Sequence, residues 1–353
     1  MKKKVAILMG GMSTEHEISL LTGAFIFKTL LRDKYDIKII PIDKKGNWVI
    51  PESFENYLPP IDSKEINSEK FFSEFKKKNS IVSSNSISIE KINCDLVILG
   101  LHGGEGEDGT IQGLLKSYRI PFTGSDILAS SLAMDKYRAN ILFKNSKLNV
   151  ANFLEITKGE FESIDFHVEK INLQFPIFVK PTLGGSSVGI GKVFTQDELY
   201  SKLKELFQKE EKILLQEFVS GREFSCGVIE KKINNQFIPF ALPATEIIPS
   251  NEFFDYEAKY KIGGSKEITP AEISEDLMNK IQLGSLQAHT LLGCVGYSRT
   301  DFILCGDTPY ILETNTLPGM TETSILPQQI KCVGLTMEVF LDNLIERALW
   351  SNT

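Results

Sequence analysis

The chain has 353 residues, 42% apolar and 24% charged, enough for two or three domains with a core in each. A net charge of -7 and an isoelectric point near 5.4 argue against a nucleic-acid or anionic-membrane surface and favour a small-molecule substrate. No stretch approaches the roughly eighteen apolar residues of a membrane span, and Val5 to Met9 is too short for a signal-peptide core.

KVAILM reads as a first strand and IKIIPI (Ile37 to Ile42) as a second, around a helix with Ile18, Leu21, Phe25 and Leu30 at helical spacing. Residues 52–93, rich in Ser, Asn, Lys and Glu, read as an elaboration, after which CDLVILGL resumes as a buried parallel strand. One helix is expected from Asp126 to Phe143. FPIFVKP, a glycine-rich loop and GKVF then form strand, loop and strand, followed by a helix from Gln196 to Lys209. ILLQEFVSGREFSCGVIE reads as two strands joined by Ser220 and Gly221. Pro249 to Ile268 is patternless, as lid loops are. A helix (Ala271 to Leu292), the strands YSRTDFIL and PYILETN, and one closing helix (Gln328 to Ala348) complete the chain. The five cysteines, Cys94, Cys226, Cys294, Cys305 and Cys332, are scattered and odd in number, which reads as reduced thiols in a cytoplasmic protein.

In GGMSTEHEIS, Thr14 and Glu17 have capping-box spacing, placing Glu15 in the first helical turn. There it either complements the helix dipole or holds a substrate ammonium at the carboxyl end of a parallel strand. LHGGEGEDGTIQG spells Gly104-x-Gly106-x-x-Gly109, with Asp126 near the distance of a ribose-binding acid. A dinucleotide is nevertheless a poor fit, because Glu105, Glu107 and Asp108 would crowd a pyrophosphate. The stretch reads as a substrate-side loop, with Asp108 capping the helix that begins near Thr110.

KPTLGGSSVGIG offers Lys180 and a loop of glycines and serines as phosphate donors, although a plain hairpin also explains the glycines. MDKYRAN adds Lys136 on a helix. Across SRTDFILCGDTPYILETN, Glu313 and Asn315 share a strand face and a hairpin brings Asp301 beside them, an all-oxygen set suited to Mg²⁺. A polar outer face is the plainer alternative. Arg299 shares the face of Asp301 and is suited to neutralising charge at a reacting carbonyl or phosphoryl group.

Together and in this order, these motifs with MDKYRA, QEFVSGREFS, DYEAKY and LETNTLPGMTETSILP resemble the D-alanine–D-alanine ligase family of the ATP-grasp superfamily, over nearly the whole chain. The resemblance implies an ATP-grasp fold of mixed α/β and α+β type with an N-terminal Rossmann-like domain. Its parts would be a substrate-side domain (1–123), a central subdomain (124–215) and a C-terminal domain with lid and metal site (216–353). It implies ATP contacts from Lys136, Lys180, Ser186, Ser187, Gln216, Glu217, Val219, Glu223 and Lys259. Two Mg²⁺ ions, or Mn²⁺, would be held by Asp301, Glu313 and Asn315. Glu15 resembles the ligand of the first D-alanine's ammonium and His102 the neighbour of its carboxylate. Ser324 with Ile325 resembles the seat of the second D-alanine.

Ser186, Tyr260 and Glu15 match a hydrogen-bond chain from lid to site, and Arg299 with the Gly319 N–H resembles the oxyanion-stabilising pair. The implied reaction phosphorylates one D-alanine carboxylate and lets the amine of a second attack the acyl phosphate, in service of peptidoglycan synthesis. A homodimer is also implied. Gln216 departs from the family's frequent glutamate, and Thr182-Leu183-Gly184 lacks the polar side chain often found before the serines. The alternatives are a D-alanine–D-lactate ligase, against which Tyr260 argues, a nucleotide-binding regulator without turnover, and a dehydrogenase resting on the glycine fingerprint alone.

Overall fold

The computed structural model describes residues 1–61, 66–84, 89–163, 166–184, 190–249 and 265–350. Near the N-terminus, the parallel strands Tyr35–Ile42, Lys3–Gly10 and Leu96–Leu101 lie side by side in that order. Val5 to Met9 are fully buried, as expected where both faces of a parallel strand are covered. Helix His16–Thr29 covers one face, while Phe71, Phe72 and Phe75 of helix Ser68–Lys78 close a side core over Met9, Leu20 and Ile39. Residues 52–93 are thus an elaboration, carrying that helix and the short strand Ile81–Ser83.

The capping box expected at Thr14 and Glu17 does not form. Glu15 occupies the N-cap without a side-chain cap bond, so Glu17 falls one position short of the required third turn residue and pairs instead with Lys44 at 2.6 Å. The helix expected from Asp126 to Phe143 is two, Ile127–Met134 and Lys136–Asn145. Asp135 breaks it in an extended conformation and caps the second helix by accepting from the Arg138 N–H at 3.0 Å.

An antiparallel sheet follows, in the order Phe153–Thr157, Lys212–Glu217, Ile177–Pro181, Gly191–Val193. Ile177, Val179, Ile213 and Leu215 turn to one face and pack on Leu199 and Leu203 of helix Gln196–Leu206. Strand alternation therefore sends Phe178, Lys180 and Gln216 to the other face.

The largest sheet is antiparallel and runs Ser265–Ile268, Thr245–Pro249, Arg222–Ile233, Tyr297–Cys305, Thr308–Asn315, with Gln236–Ala241 also paired to Arg222–Ile233. The two strands read around Ser220 and Gly221 therefore belong to different sheets. Ser265–Ile268, expected in a loop, is a strand paired with Thr245–Pro249; residues 250–264 lie outside the described residues. Phe224, Cys226, Phe302, Leu304 and Ile311 pack together with Ile281 and Ala288 of helix Glu275–Leu292. The closing helix is also two, Ile325–Cys332 and Met337–Trp350, separated at Gly334 with φ of 73°. Leu326, Ile330, Leu341, Leu344 and Ile345 of these helices join Val5, Ile7, Val97 and Leu99 in one continuous core. That shared core fixes the first sheet against the last.

Candidate active site

The carboxyl ends of strands Lys3–Gly10 and Leu96–Leu101 face the polar side of the large sheet across a cleft of about 730 Å³. Ser13 ties the first two loops together: its hydroxyl donates to the His102 carbonyl at 2.5 Å and accepts from the Glu15 N–H at 3.1 Å. Gly103 has φ of 66°, and a β-carbon there would lie 2.7 Å from Glu15 Oε2. The glycine is needed both for its backbone and for the room it leaves a carboxylate.

His102 is buried and fully engaged. Leu317 O can only accept, so His102 Nδ1 carries the hydrogen in their 3.0 Å contact, and Nε2 lies 2.7 Å from the Thr22 hydroxyl. These contacts link the loop after strand Leu96–Leu101 to the loop after strand Thr308–Asn315. Glu107 Oε1 lies 3.9 Å from Nδ1. Burial pushes the Glu107 carboxyl upward, the neighbouring His102 ring opposes this, and the charge of Glu15 adds to the rise.

On the opposite wall Asp301 pairs with Glu313 and Arg299 with Asn315 across neighbouring strands, with a register shift after Asp301. Alternation puts all four on one face, while Thr300 and Thr314 bond at 3.0 Å on the other. Arg299 grips Asp301 through two contacts, Nε–Oδ1 at 3.0 Å and Nη2–Oδ2 at 2.9 Å, and Ser225 donates to Asp301 at 2.5 Å. Glu223, two residues before Ser225, shares that face. Asn315 Oδ1 accepts from the Leu317 N–H at 3.1 Å. The chain then turns through Gly319, where a β-carbon would approach Ser324 Oγ to 2.9 Å. Ser324 accepts from the Thr321 N–H at 3.0 Å and stands at the N-cap of helix Ile325–Cys332, with Ile325 buried behind it.

Two facing carboxylates repel unless a cation lies between or beside them, and here Arg299 supplies part of that charge. Among the described residues no three His, Cys, Asp or Glu side chains gather, so the third oxygen would come from the Asn315 carboxamide. These hard oxygen donors fit Mg²⁺ or Mn²⁺.

Toward the central sheet, the Lys136 N–H bonds Thr182 O at 3.1 Å and its ammonium donates to the Gly184 carbonyl. Lys180 Nζ donates to Gln216 Oε1 at 2.8 Å. The buried Gln216 Nε2 has no hydrogen-bond partner among the described residues, an uncommon state for an interior amide and one that a ligand acceptor would relieve. The Glu217 carboxylate is engaged elsewhere, accepting from Asn152 Nδ2 at 2.9 Å and the Gln174 N–H at 2.8 Å. Val219 lies in the connection between the two sheets.

Glu15, His102, Lys136, Arg299, Glu313, Asn315, Gly319, Ser324 and Ile325 thus line one cleft, with Asp301 joined to it through Arg299. Lys180, Gln216, Glu217, Val219 and Glu223 are not part of its lining. Ser186, Ser187, Lys259 and Tyr260 lie outside the described residues. Sequence reasoning gave no separate role to Glu107, Thr22 or Glu267. The first sits inside the glycine-rich motif and was legible there; the other two carry no local signal.

The family model for the D-ala D-ala ligase N-terminus matches residues 4–125, and that for the C-terminus matches residues 142–346. The chain belongs to the D-alanine–D-alanine ligase family. It is 49% identical to a D-alanine–D-alanine ligase of Leptospira interrogans over 348 residues, 98% of each chain. Among solved structures it resembles the VanG D-Ala:D-Ser ligase of Enterococcus faecalis, with a TM-score of 0.81 and 31% identity over 99% of this chain and 100% of that one. The Bacillus anthracis D-alanine–D-alanine ligase complexed with ATP gives a TM-score of 0.72 and 28% identity over 99% and 98%. The fold is the ATP-grasp fold that the sequence motifs implied.

Proposed function

We propose that this ligase uses ATP to join two D-alanines into D-alanyl-D-alanine for peptidoglycan synthesis. One observation carries the reading: Glu15 and His102 from the first domain and Arg299, Gly319 and Ser324 from the last open onto a single cleft beside Glu313 and Asn315. The family membership and the ATP complex of the Bacillus anthracis relative support the choice of nucleotide.

A carboxylate cannot expel oxide at neutral pH, so its oxygen must first take the γ-phosphoryl group of ATP, giving an acyl phosphate that releases phosphate when the amine attacks. Glu15 holds the ammonium of the first D-alanine and His102 its carboxylate edge. Lys136 and Lys180 hold nucleotide phosphate, Gln216 takes the base, and Glu223 takes the ribose. The family resemblance adds Ser186, Ser187 and Lys259 as ATP contacts, and Ser186 and Tyr260 as partners of Glu15 in a hydrogen-bond chain. Asp301, Glu313 and Asn315 would hold two Mg²⁺ or Mn²⁺ ions, which neutralise triphosphate charge. Arg299 and the Gly319 N–H stabilise the oxyanion formed as the second amine attacks; loss of one such donor typically costs about 10²–10³ in rate. Ser324 and Ile325 seat the second D-alanine. The scattered cysteines, with no helix among the described residues long and apolar enough to cross a membrane, accord with a cytoplasmic enzyme, and the family resemblance with a homodimer.

A coupled assay tests this: phosphate release from MgATP should require D-alanine, with L-alanine inactive and D-lactate a poor second substrate. Robust ester formation with D-lactate would favour the depsipeptide reading, and ATP binding without release would favour the regulator.

A further inference from the structure

Glu267 is a carboxylate of the cleft wall that none of the roles above uses. It stands on strand Ser265–Ile268 and pairs with Ile247, which in turn pairs with Glu223. That row gives Glu267 the same sheet face as Asp301 and Arg299, and its side chain lines the cleft, half-buried. Gln328 Nε2 donates to its Oε2 at 2.5 Å and also to Thr323 O at 3.0 Å, so one amide ties Glu267 to the residue next to Ser324. Among the described residues Glu267 has a neutral amide as hydrogen-bond partner and forms no ion pair. Burial pushes its carboxyl upward, while the Gln328 hydrogen bond and the Arg299 charge draw it back. A half-buried carboxylate in this state is stabilised by a cation arriving from the cleft.

Resting on the ligase reading, we infer that Glu267 holds the ammonium of the second amino acid, and so makes that subsite select an amine over a hydroxyl nucleophile. The second substrate arrives as a zwitterion whose two charges are separated by one carbon. It needs a donor for its carboxylate and an anion for its ammonium close together. Ser324 and Glu267, joined through Thr323 and Gln328, supply that pair, and the nearby Arg299 is the group assigned to the reacting carbonyl. A 2-hydroxy acid would leave Glu267 buried without its cation, a penalty that discriminates against the ester product.

The test measures the two D-alanine KM values and the product ratio under D-lactate competition, for wild type and Glu267→Gln. The variant keeps the shape and an acceptor for Gln328 but removes the charge. The KM of the second D-alanine should rise about tenfold or more, as for a lost charged hydrogen bond. The KM values of ATP and the first D-alanine should stay within about twofold, and the share of D-lactate product should increase. Unchanged second-site KM and product ratio in an active variant would overturn the inference while leaving the ligase reading standing. A wild-type protein without D-alanine-dependent turnover would defeat both. If Glu267→Gln does not fold, Glu267→Asp, which shortens the reach but keeps the charge, is read by the same KM split: a second-site increase supports the inference and no change overturns it.

Discussion

Glu15 Oε2 fills the space that a side chain on Gly103 would occupy, a β-carbon there coming within 2.7 Å of it. The two residues come from loops after different strands, and Ser13 pins those loops together. The carboxylate proposed to hold the first D-alanine is thus positioned by the absence of a neighbour's side chain.

Gly103→Ala should therefore damage the first subsite selectively. The alanine must adopt φ near 66° with ψ near 166°, a region kept almost wholly for glycine, and displace Glu15, at a cost of about 1–3 kcal/mol of stability from the backbone alone. Steady-state kinetics should show a large rise in the KM of the first D-alanine with nucleotide affinity retained. Thermal unfolding should show a lower but cooperative transition.

Glu313→Gln should abolish turnover and leave the fold intact. Glu313 faces Asp301 directly, so the substitution removes a like-charge neighbour rather than a packing contact. Circular dichroism and thermal unfolding should match wild type, while D-alanine-dependent phosphate release disappears. Near-normal release would remove Glu313 from the site.

The thiols should divide by burial. Cys305 and Cys332 are exposed, whereas burial raises Cys226 and Cys294, as well as the half-buried Cys94, to about 12. Thiolate is the reactive form, so iodoacetamide at neutral pH should modify Cys305 and Cys332 first. Peptide mass spectrometry should find the other three modified only after denaturation.

His289 contributes a pH dependence far from the cleft. Burial lowers its pKa from 6.5 to about 4, with Arg347 adding to the effect. The unfolded chain then binds more protons than the native one between those values. Stability should be complete above about pH 6.5 and fall as the pH drops toward about 4, by up to about 3 kcal/mol from this residue. Urea unfolding of His289→Gln at several pH values should show a shallower slope across that window than wild type.

Much of this was legible in the sequence. Val5 to Met9 and Leu96 to Leu101 read as strands because both faces are buried and their apolar runs are unbroken. The residues of the candidate site were legible as motifs, since Glu15, His102, Arg299 and Ser324 each stand in a recognisable local pattern. The helix breaks were not. Asp135 sits in a helix-compatible stretch, and its role as a cap depends on the Lys136 N–H being held by Thr182, far away in the chain. The contacts of His102 were hidden for the same reason, being made with Thr22 and the Leu317 carbonyl, which only the fold brings near. Glu267 and Gln328 meet across two elements whose sequences carry no sign of each other.

In the proposed reaction the cleft activates one D-alanine carboxylate for attack by the amine of another. Turnover of D-alanine labelled with oxygen-18 in its carboxylate, followed by mass spectrometry of both products, tests it most directly. One labelled oxygen should pass to inorganic phosphate for each D-alanyl-D-alanine formed. Unlabelled phosphate, or phosphate release that does not depend on D-alanine, would contradict it.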